Sequence, residues 1–200
     1  MTDEQILDAA LTVFHQYGYG KTTMQDIARA AGLSRAALYL HFPTKEDLFR
    51  AGTRRAHAQA LARADEVLAG PGDVVSRVDA AMAAYFGGLM AQIASSAHGG
   101  ELFDASLSVT GDLVAESHEA LVARLAGALA EADLSTVDAN AEQLARMLLA
   151  VANGLQKTST DPQAWRVQRA LFFRVVRAAV GPLTGRERAV GAVGVKEPRS

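Results

Sequence analysis

Residues 22–47 read TTMQDIARAAGLSRAALYLHFPTKED, and this stretch decides the fold. Thr23 is a hydroxyl residue placed ahead of Met24-Gln25-Asp26, where its oxygen can satisfy a free amide at a helix start. Ile27 and Ala28 follow as inward positions, and Gly32 closes the segment after about two turns. Ser34 begins a second short helix. That helix must end ahead of Pro43, because the residue before a proline is pushed out of helical geometry. Two short helices joined by a tight turn at Gly32-Leu33 make a helix-turn-helix. Ile27, Leu33 and Leu38 supply the small core where the helices cross. The early turn of the second helix carries Ala36 and Ala37, so it can approach another surface closely.

Helical spacing continues in both directions from this stretch, and strand-like alternation is scarce. Upstream, Ile6, Ala10 and Phe14, with Leu7 and Leu11, form one apolar stripe. Thr2-x-x-Gln5 precedes it as a capping box and Gly18 follows as a stop. Downstream, Thr44-Lys45-Glu46-Asp47 caps a fourth, long helix reaching about Leu68, ahead of the Gly70-Pro71-Gly72 break. Val74, Val78, Met82, Phe86 and Leu89 stripe a fifth helix, with Tyr85 beside the stripe. His98-Gly99-Gly100 breaks the chain before a short segment holding Leu102 and Phe103. Leu121, Leu125 and Leu129 mark a helix ending near Asp133, and another runs from about Asp138 to Lys157. Asp161-Pro162 starts the last helix and Gly181-Pro182 stops it. The expected fold is all-α: an N-terminal three-helix helix-turn-helix domain over 1–47, then a larger helical domain over 48–183. The tail 184–200, rich in Gly, Arg and Glu, has little to bury and is expected to be mobile.

The chain has 200 residues, half of them hydrophobic, which is enough for a substantial core. With no cysteine, disulfide frameworks, thiolate metal sites and cysteine nucleophiles are excluded together. Thr2, Asp3 and Glu4 follow the initiator directly, unlike a signal peptide. No stretch approaches the roughly 20 uninterrupted apolar residues of a membrane span. A cytoplasmic protein with no membrane partner is expected. The formal net charge of -2 says little by itself; its distribution says more. From Gly18 to Lys45 the cations Lys21, Arg29, Arg35 and Lys45 face the lone anion Asp26. A mildly basic patch on a near-neutral protein suits a site-specific DNA binder better than a general polyanion binder.

Within that patch, Arg35 stands at the N-terminal end of the second short helix, where recognition helices touch bases, and it can bind guanine in bidentate fashion. Thr22, Thr23, Tyr39 and Lys45 flank it as hydroxyl and ammonium donors suited to phosphate oxygens. Lys45 at a helix start works against the helix dipole, and a phosphate partner explains it economically.

The segment resembles the DNA-binding domain of the TetR family of bacterial regulators. The resemblance is carried by Phe14 and Gly18, Thr22-Thr23, Ile27-Ala28, Ala31-Gly32, Ser34, Leu38-Tyr39, His41-Phe42 and Lys45-Glu46-Asp47-Leu48. It covers about the first fifty residues; the later helices are similar in number and length only. By position it implies base or groove contact from Arg35, Ala36, Ala37 and His41, with Ser34 at the start of that helix. Phosphate contact is implied for Thr22, Thr23, Tyr39 and Lys45. Ala36 stands where glycine is frequent and Leu40 where an aromatic or polar residue is more usual, which bears on the operator sequence read.

One helix-turn-helix reads only a few base pairs, so specific binding calls for two at a fixed spacing. The last two long helices are the natural dimer surface. Ala141, Ala145 and Ala152 permit close approach on one, with Leu144, Leu148 and Leu155 as apolar contacts; Leu171, Val175 and Ala179 stripe the other. The resemblance implies a four-helix interface between two copies, a double-stranded DNA operator, and an inducer pocket in the larger domain. Met82, Tyr85, Phe86, Leu89 and Phe103 are the pocket candidates, for a small apolar or aromatic effector. The function expected is a ligand-released repressor. No catalytic set, cofactor or metal is expected: no Glu-x-x-His pair occurs and no Gly-x-Ser-x-Gly elbow is present. The competing reading is a helical-bundle binding protein or enzyme without a DNA role.

Overall fold

Helix α1 (Asp3–Tyr17) starts at Thr2. The Thr2 hydroxyl accepts the Gln5 amide, and the Gln5 side chain accepts the Thr2 amide in return. The helix ends at Gly18, which takes φ 79°, a left-handed value that suits glycine. A side chain there would also collide with the carboxylate of Glu101. The structure is a computed structural model describing residues 1–158 and 161–182, with side chains throughout these except at 89, 90, 92–94, 157, 158, 162, 181 and 182.

Helices α2 (Met24–Ala30) and α3 (Arg35–His41) are capped by the hydroxyls of Thr23 and Ser34, and Gly32 turns between them at φ 66°. Thr44 caps α4 (Lys45–Leu68), accepting the Asp47 amide at 3.0 Å. Then follow α5 (Val74–Ala94), α6 (Gly99–Leu129), α7 (Ala141–Thr158) and α8 (Pro162–Ala179). Asp161 caps α8 by accepting the amides of Gln163 and Ala164, and Pro162 fills a first-turn position where no amide is needed. The fold is all-helical but for a two-residue antiparallel ladder between β1 (Ala132–Asp133) and β2 (Gly181–Pro182).

Three elements differ from the sequence pattern. The segment around Leu102 and Phe103 is a helical piece running from Gly99 to a kink at Thr110, and a further piece carries on through Leu121 to Leu129; the two together make the 31 residues of α6. Its helical course is interrupted at Thr110 (φ −128°, ψ 20°), whose hydroxyl donates to the Ser106 carbonyl at 2.6 Å; such back-bonding bends helices. Second, this helix ends at Leu129, and residues 132–133 leave it to pair with β2. Third, α7 starts at Ala141 rather than near Asp138, because Asp138 adopts the left-handed conformation (φ 46°) and Asn140 and Gln143 form the reciprocal cap. The tail 184–200 lies outside the described residues.

The buried side chains gather into two cores. The first joins Ile6, Ala10, Phe14, Ile27, Leu38, Leu48 and Phe49, with Leu33 packed at its edge. The second joins Ala60, Ala64, Met82, Tyr85, Phe86, Leu121, Leu125, Leu129, Leu148 and Trp165. Each large apolar side chain so buried contributes roughly 1.5–3 kcal/mol. Two helices belong to both cores. Helix α4 places Leu48 and Phe49 in the first and Ala60 and Ala64 in the second. Helix α6 places Leu102 and Ala105 in the first and, beyond Thr110, Leu121 and Leu125 in the second. A boundary at 47/48 therefore falls just ahead of two residues that pack with the N-terminal helices.

Candidate nucleic-acid interface and adjoining cavity

Helix α3 buries one side chain, Leu38, and turns the remainder outward. Its neighbours two residues away in sequence point elsewhere on the helix, and Leu40 is 88% exposed. Arg35 is exposed too, its guanidinium donating to the Tyr39 hydroxyl at 3.1 Å and lying 5.4 Å from the ring centroid. Ala36 is exposed and Ala37 half-buried. The outward face of α3 is thus a pre-set arginine, two methyl groups and an isobutyl group. That composition can donate to a guanine edge and meet a thymine methyl.

The remaining sequence candidates all have partners within the chain, and they differ in exposure. Thr23 is exposed, though its hydroxyl donates to Asp26 at 2.6 Å. The Ser34 hydroxyl accepts the Ala37 amide at 3.1 Å, so it caps the helix. His41 Nδ1 is 2.7 Å from the Asp3 carboxylate, which ties the end of α3 to the start of α1. Lys45 Nζ donates to the carbonyls of Tyr19 (2.8 Å) and Gly20 (3.3 Å) and sits 4.4 Å from the Tyr19 ring centroid. Thr22 is placed differently from the rest. It is 2% exposed and its hydroxyl donates to the Gly18 carbonyl at 2.6 Å, so it braces the loop and has no hydroxyl free for phosphate.

A cavity of about 410 Å³ lies where the two cores meet. Leu11, Phe14 and His15 of α1 form one wall, and Phe49, Gly52, Thr53, Ala56 and His57 of α4 a second. Helix α6 contributes both sides of the Thr110 interruption, from Leu102, Phe103 and Ser106 to Val114 and His118. Phe86 of α5 and Asn153 and Gln156 of α7 complete it. Among the pocket candidates, Phe86 and Phe103 are in the lining. Met82 is not: it is 1% exposed and packed in the second core. Tyr85 stands one layer behind, fully buried, its hydroxyl 2.9 Å from His57 Nδ1 and 2.8 Å from Ser117 Oγ. The side chain of Leu89 lies outside the described residues.

Burial, with the nearby charge of His118 second, lowers the His57 pKa to about 4. Burial also lowers His118 and His15. The Tyr85 hydroxyl is pushed up to about 12 by burial, partly offset by its bond to Ser117. The α1 and α4 walls and the histidines were missed by sequence reading. Sequence spacing tests the histidines only as metal ligands, and it places the expected pocket within the larger domain alone. One signal was present: His57 falls in register with Ala60 and Ala64, the buried face of α4.

On α7 and α8, the expected interface stripes divide. Leu144, Ala145, Leu148 and Ala152 are consumed inside the chain's own second core. The exposed apolar positions are Met147 on α7 and Val167, Leu171 and Val175 on α8, the last three at 59%, 55% and 62% exposure. Spaced by four, those three share one helix face.

Together these features define an all-helical protein in which an N-terminal helix-turn-helix unit and a larger helical body meet at a cavity. Residues 6–51 match the model of the bacterial regulatory proteins of the tetR family. The HTH-type transcriptional regulator AcrR of Shigella flexneri is 50% identical over 48 residues, 24% of this chain and 22% of that protein. The biofilm operon negative regulator IcaR of Staphylococcus epidermidis is 38% identical over 47 residues, 24% and 25% of the two chains. The chain thus matches about a quarter of the length of these curated relatives. Over the whole fold the likeness is structural. A transcriptional regulator from Cytophaga hutchinsonii superposes with TM-score 0.71 at 20% identity, covering 88% of this chain and 97% of that one. SmeT, the repressor of the Stenotrophomonas maltophilia multidrug efflux pump SmeDEF, does so with TM-score 0.65 at 22% identity, covering 88% and 90%. No helix among the described residues is long and apolar enough to cross a membrane.

Proposed function

We propose that this chain is a sequence-specific, ligand-responsive transcriptional regulator, a repressor that releases its DNA operator when a small molecule fills the cavity. The observation that carries the reading is the outward face of α3, where Arg35, Ala36, Ala37, Tyr39 and Leu40 are presented within a domain of the tetR family. Arg35 and Leu40 are assigned to base edges. Ala36, Ala37 and His41 are assigned to the groove beside them, and Thr23, Tyr39 and Lys45 to the phosphate backbone, with Ser34 and Thr22 holding the geometry. SmeT has been solved in complex with triclosan, which supports a ligand-binding role for a body of this fold.

Two heads at a fixed spacing require a dimer, and the exposed stripe Val167, Leu171 and Val175, with Met147, is its proposed seat. Packing α7 and α8 against their counterparts in a second copy would cover it. The coupling would run through α4 and α6, the two helices that enter both cores. A ligand touching Phe14 and His15 on one side and Phe86 and His118 on the other bears on head and body at once. To act, it must bind the two arrangements unequally, and about 1–3 kcal/mol of coupling, roughly 5–150-fold in DNA affinity, is typical.

The test is selection of bound duplexes from a random-sequence pool at fixed salt, with the full chain. Enrichment of a palindrome with half-sites about one helical turn apart is expected. Enrichment of nothing by a folded protein would sink the DNA-binding reading.

A further inference from the structure

We propose that the cavity selects an uncharged, largely apolar ligand bearing a hydroxyl or carbonyl group, which is received by His57 Nε2 and the His118 ring. The inference rests on the ligand-responsive reading for its biological use and adds the ligand's chemical class.

The first argument is what the walls lack. Among the described residues, no lysine, arginine, aspartate or glutamate lines the cavity. An ionised ligand entering it would shed water and meet no opposite charge, which is costly. The rings of Phe14, Phe49, Phe86 and Phe103 instead present flat apolar surface, suited to an aromatic or similarly rigid skeleton.

The second argument is how the polar groups are held. His57 and His118 both border the Tyr85 ring, at 5.9 and 6.1 Å between centroids. The Tyr85 hydroxyl occupies His57 Nδ1, and Ser117 completes the chain behind it. Nε2 is therefore the nitrogen left to serve the cavity that His57 lines. The relay can run in either direction. With Tyr85 donating to Nδ1, Nε2 carries the proton and seeks an acceptor. With Nδ1 donating to Tyr85 and Tyr85 to Ser117, Nε2 is an acceptor and takes a hydroxyl proton. A carbonyl or a hydroxyl is thus received equally by one pre-oriented ring. His118, across the same ring, makes no hydrogen bond among the described residues and is the second point of contact. Burial keeps both imidazoles neutral near pH 7, so neither supplies a cation for a carboxylate.

The experiment titrates the full-length chain calorimetrically near neutral pH with four probes on one skeleton: 4-phenylphenol, biphenyl, biphenyl-4-carboxylate and 4-phenylbenzylamine. The phenol is expected to bind tightest, biphenyl several-fold weaker, and the two ions at least about tenfold weaker than the phenol. In His57→Phe and His118→Leu the preference for phenol over biphenyl should shrink while biphenyl still binds, which shows an intact cavity. The proposal is overturned if the carboxylate or amine matches the phenol, if the phenol preference survives in both variants, or if no probe binds the parent chain. Binding of the phenol in the expected order without any change in affinity for the selected duplex would uphold this ligand class and defeat the regulatory reading instead.

Discussion

The Glu101 carboxylate, in the first turn of α6, accepts the amide of Gly20 at 2.6 Å, across 81 positions of sequence. It thereby fastens the body helix that lines the cavity to the loop leading into the helix-turn-helix. The same loop receives Lys45 through the carbonyls of Tyr19 and Gly20. A second fastening stands beside it: Arg50 of α4 donates to the Val109 carbonyl at 2.7 Å and to Asp112 at 2.9 Å, bracketing the Thr110 interruption. Head and body are therefore linked by directed polar contacts, not by packing alone.

Glu101→Ala should loosen that link while leaving both cores intact. We expect faster hydrogen exchange at the Gly20 amide and a stability loss of about 1 kcal/mol, the usual worth of one hydrogen bond. DNA affinity without ligand should change little. The effect of 4-phenylphenol on DNA affinity should shrink, as measured by fluorescence anisotropy with a labelled duplex. An unchanged ligand response would show that coupling does not pass through Glu101.

Arg35 and Lys45 should separate by the kind of loss they cause. Arg35→Ala removes a base-edge donor and should relax preference at one operator position by roughly 1–3 kcal/mol. Lys45→Met should weaken all duplexes alike and flatten the salt dependence of binding, as loss of a phosphate contact does. Because Lys45 also holds the Tyr19 and Gly20 carbonyls, this variant should lower the melting temperature as well, which Arg35→Ala should not. Affinity profiles over a panel of single-base operator variants at two salt concentrations would read the difference. Identical profiles for the two variants would show the roles are misassigned.

Stability should depend on acidity through His57. Its folded pKa, about 4, lies below the roughly 6.5 of a free imidazole. Between those values the unfolded chain binds the proton and the folded chain does not. Stability is therefore fully present above about pH 6.5 and falls as the pH drops toward 4. The contribution at stake is on the order of 3 kcal/mol for this one group. His118, lowered by burial in the same sense, adds to the slope. Urea unfolding from pH 7.5 to 4.5 on the parent and on His57→Phe would measure it, and equal slopes in the two would remove His57 as the cause.

How much of this was legible in the sequence depends on whether a residue's role is local. Thr2, Thr23, Ser34, Thr44 and Asp161 all cap the helices they precede, because a cap is decided within four residues. Ile27, Leu33 and Leu38 meet as expected because two short helices across a glycine turn have few ways to pack. Thr22 is ambiguous in sequence, since the same hydroxyl that can reach a phosphate can also satisfy a carbonyl four residues back, as it does here. The two pieces of α6 read as separate in sequence because the polar, Gly- and Thr-containing stretch around 106–112 dilutes apolar periodicity, and the helix is kinked there at Thr110. The cavity was harder still. Its walls come from α1, α4, α5, α6 and α7, and no local pattern reports which faces of five helices meet. Leu144 and Leu148 show the same ambiguity from the other side: an apolar stripe states that a face is covered, not whether the cover is the same chain.

The exposed stripe on α8 yields the most direct test of assembly. Leu171 lies midway between Val167 and Val175, and all three are more than half exposed in the single chain. Scattered surface apolars are ordinary, but an aligned run on one helix face marks a contact surface. Leu171→Glu would set two like charges close together at a two-fold interface and strand them away from water. The variant should fold as the parent does, because Leu171 does not belong to either core. It should sediment as a monomer where the parent sediments as a dimer. Its affinity for the palindromic duplex should fall steeply, while contact with a single half-site persists at the weak level of one head. Sedimentation velocity and half-site binding together decide the matter: a variant that remains dimeric places the interface elsewhere, and a parent that is already monomeric removes the two-fold reading of the operator altogether.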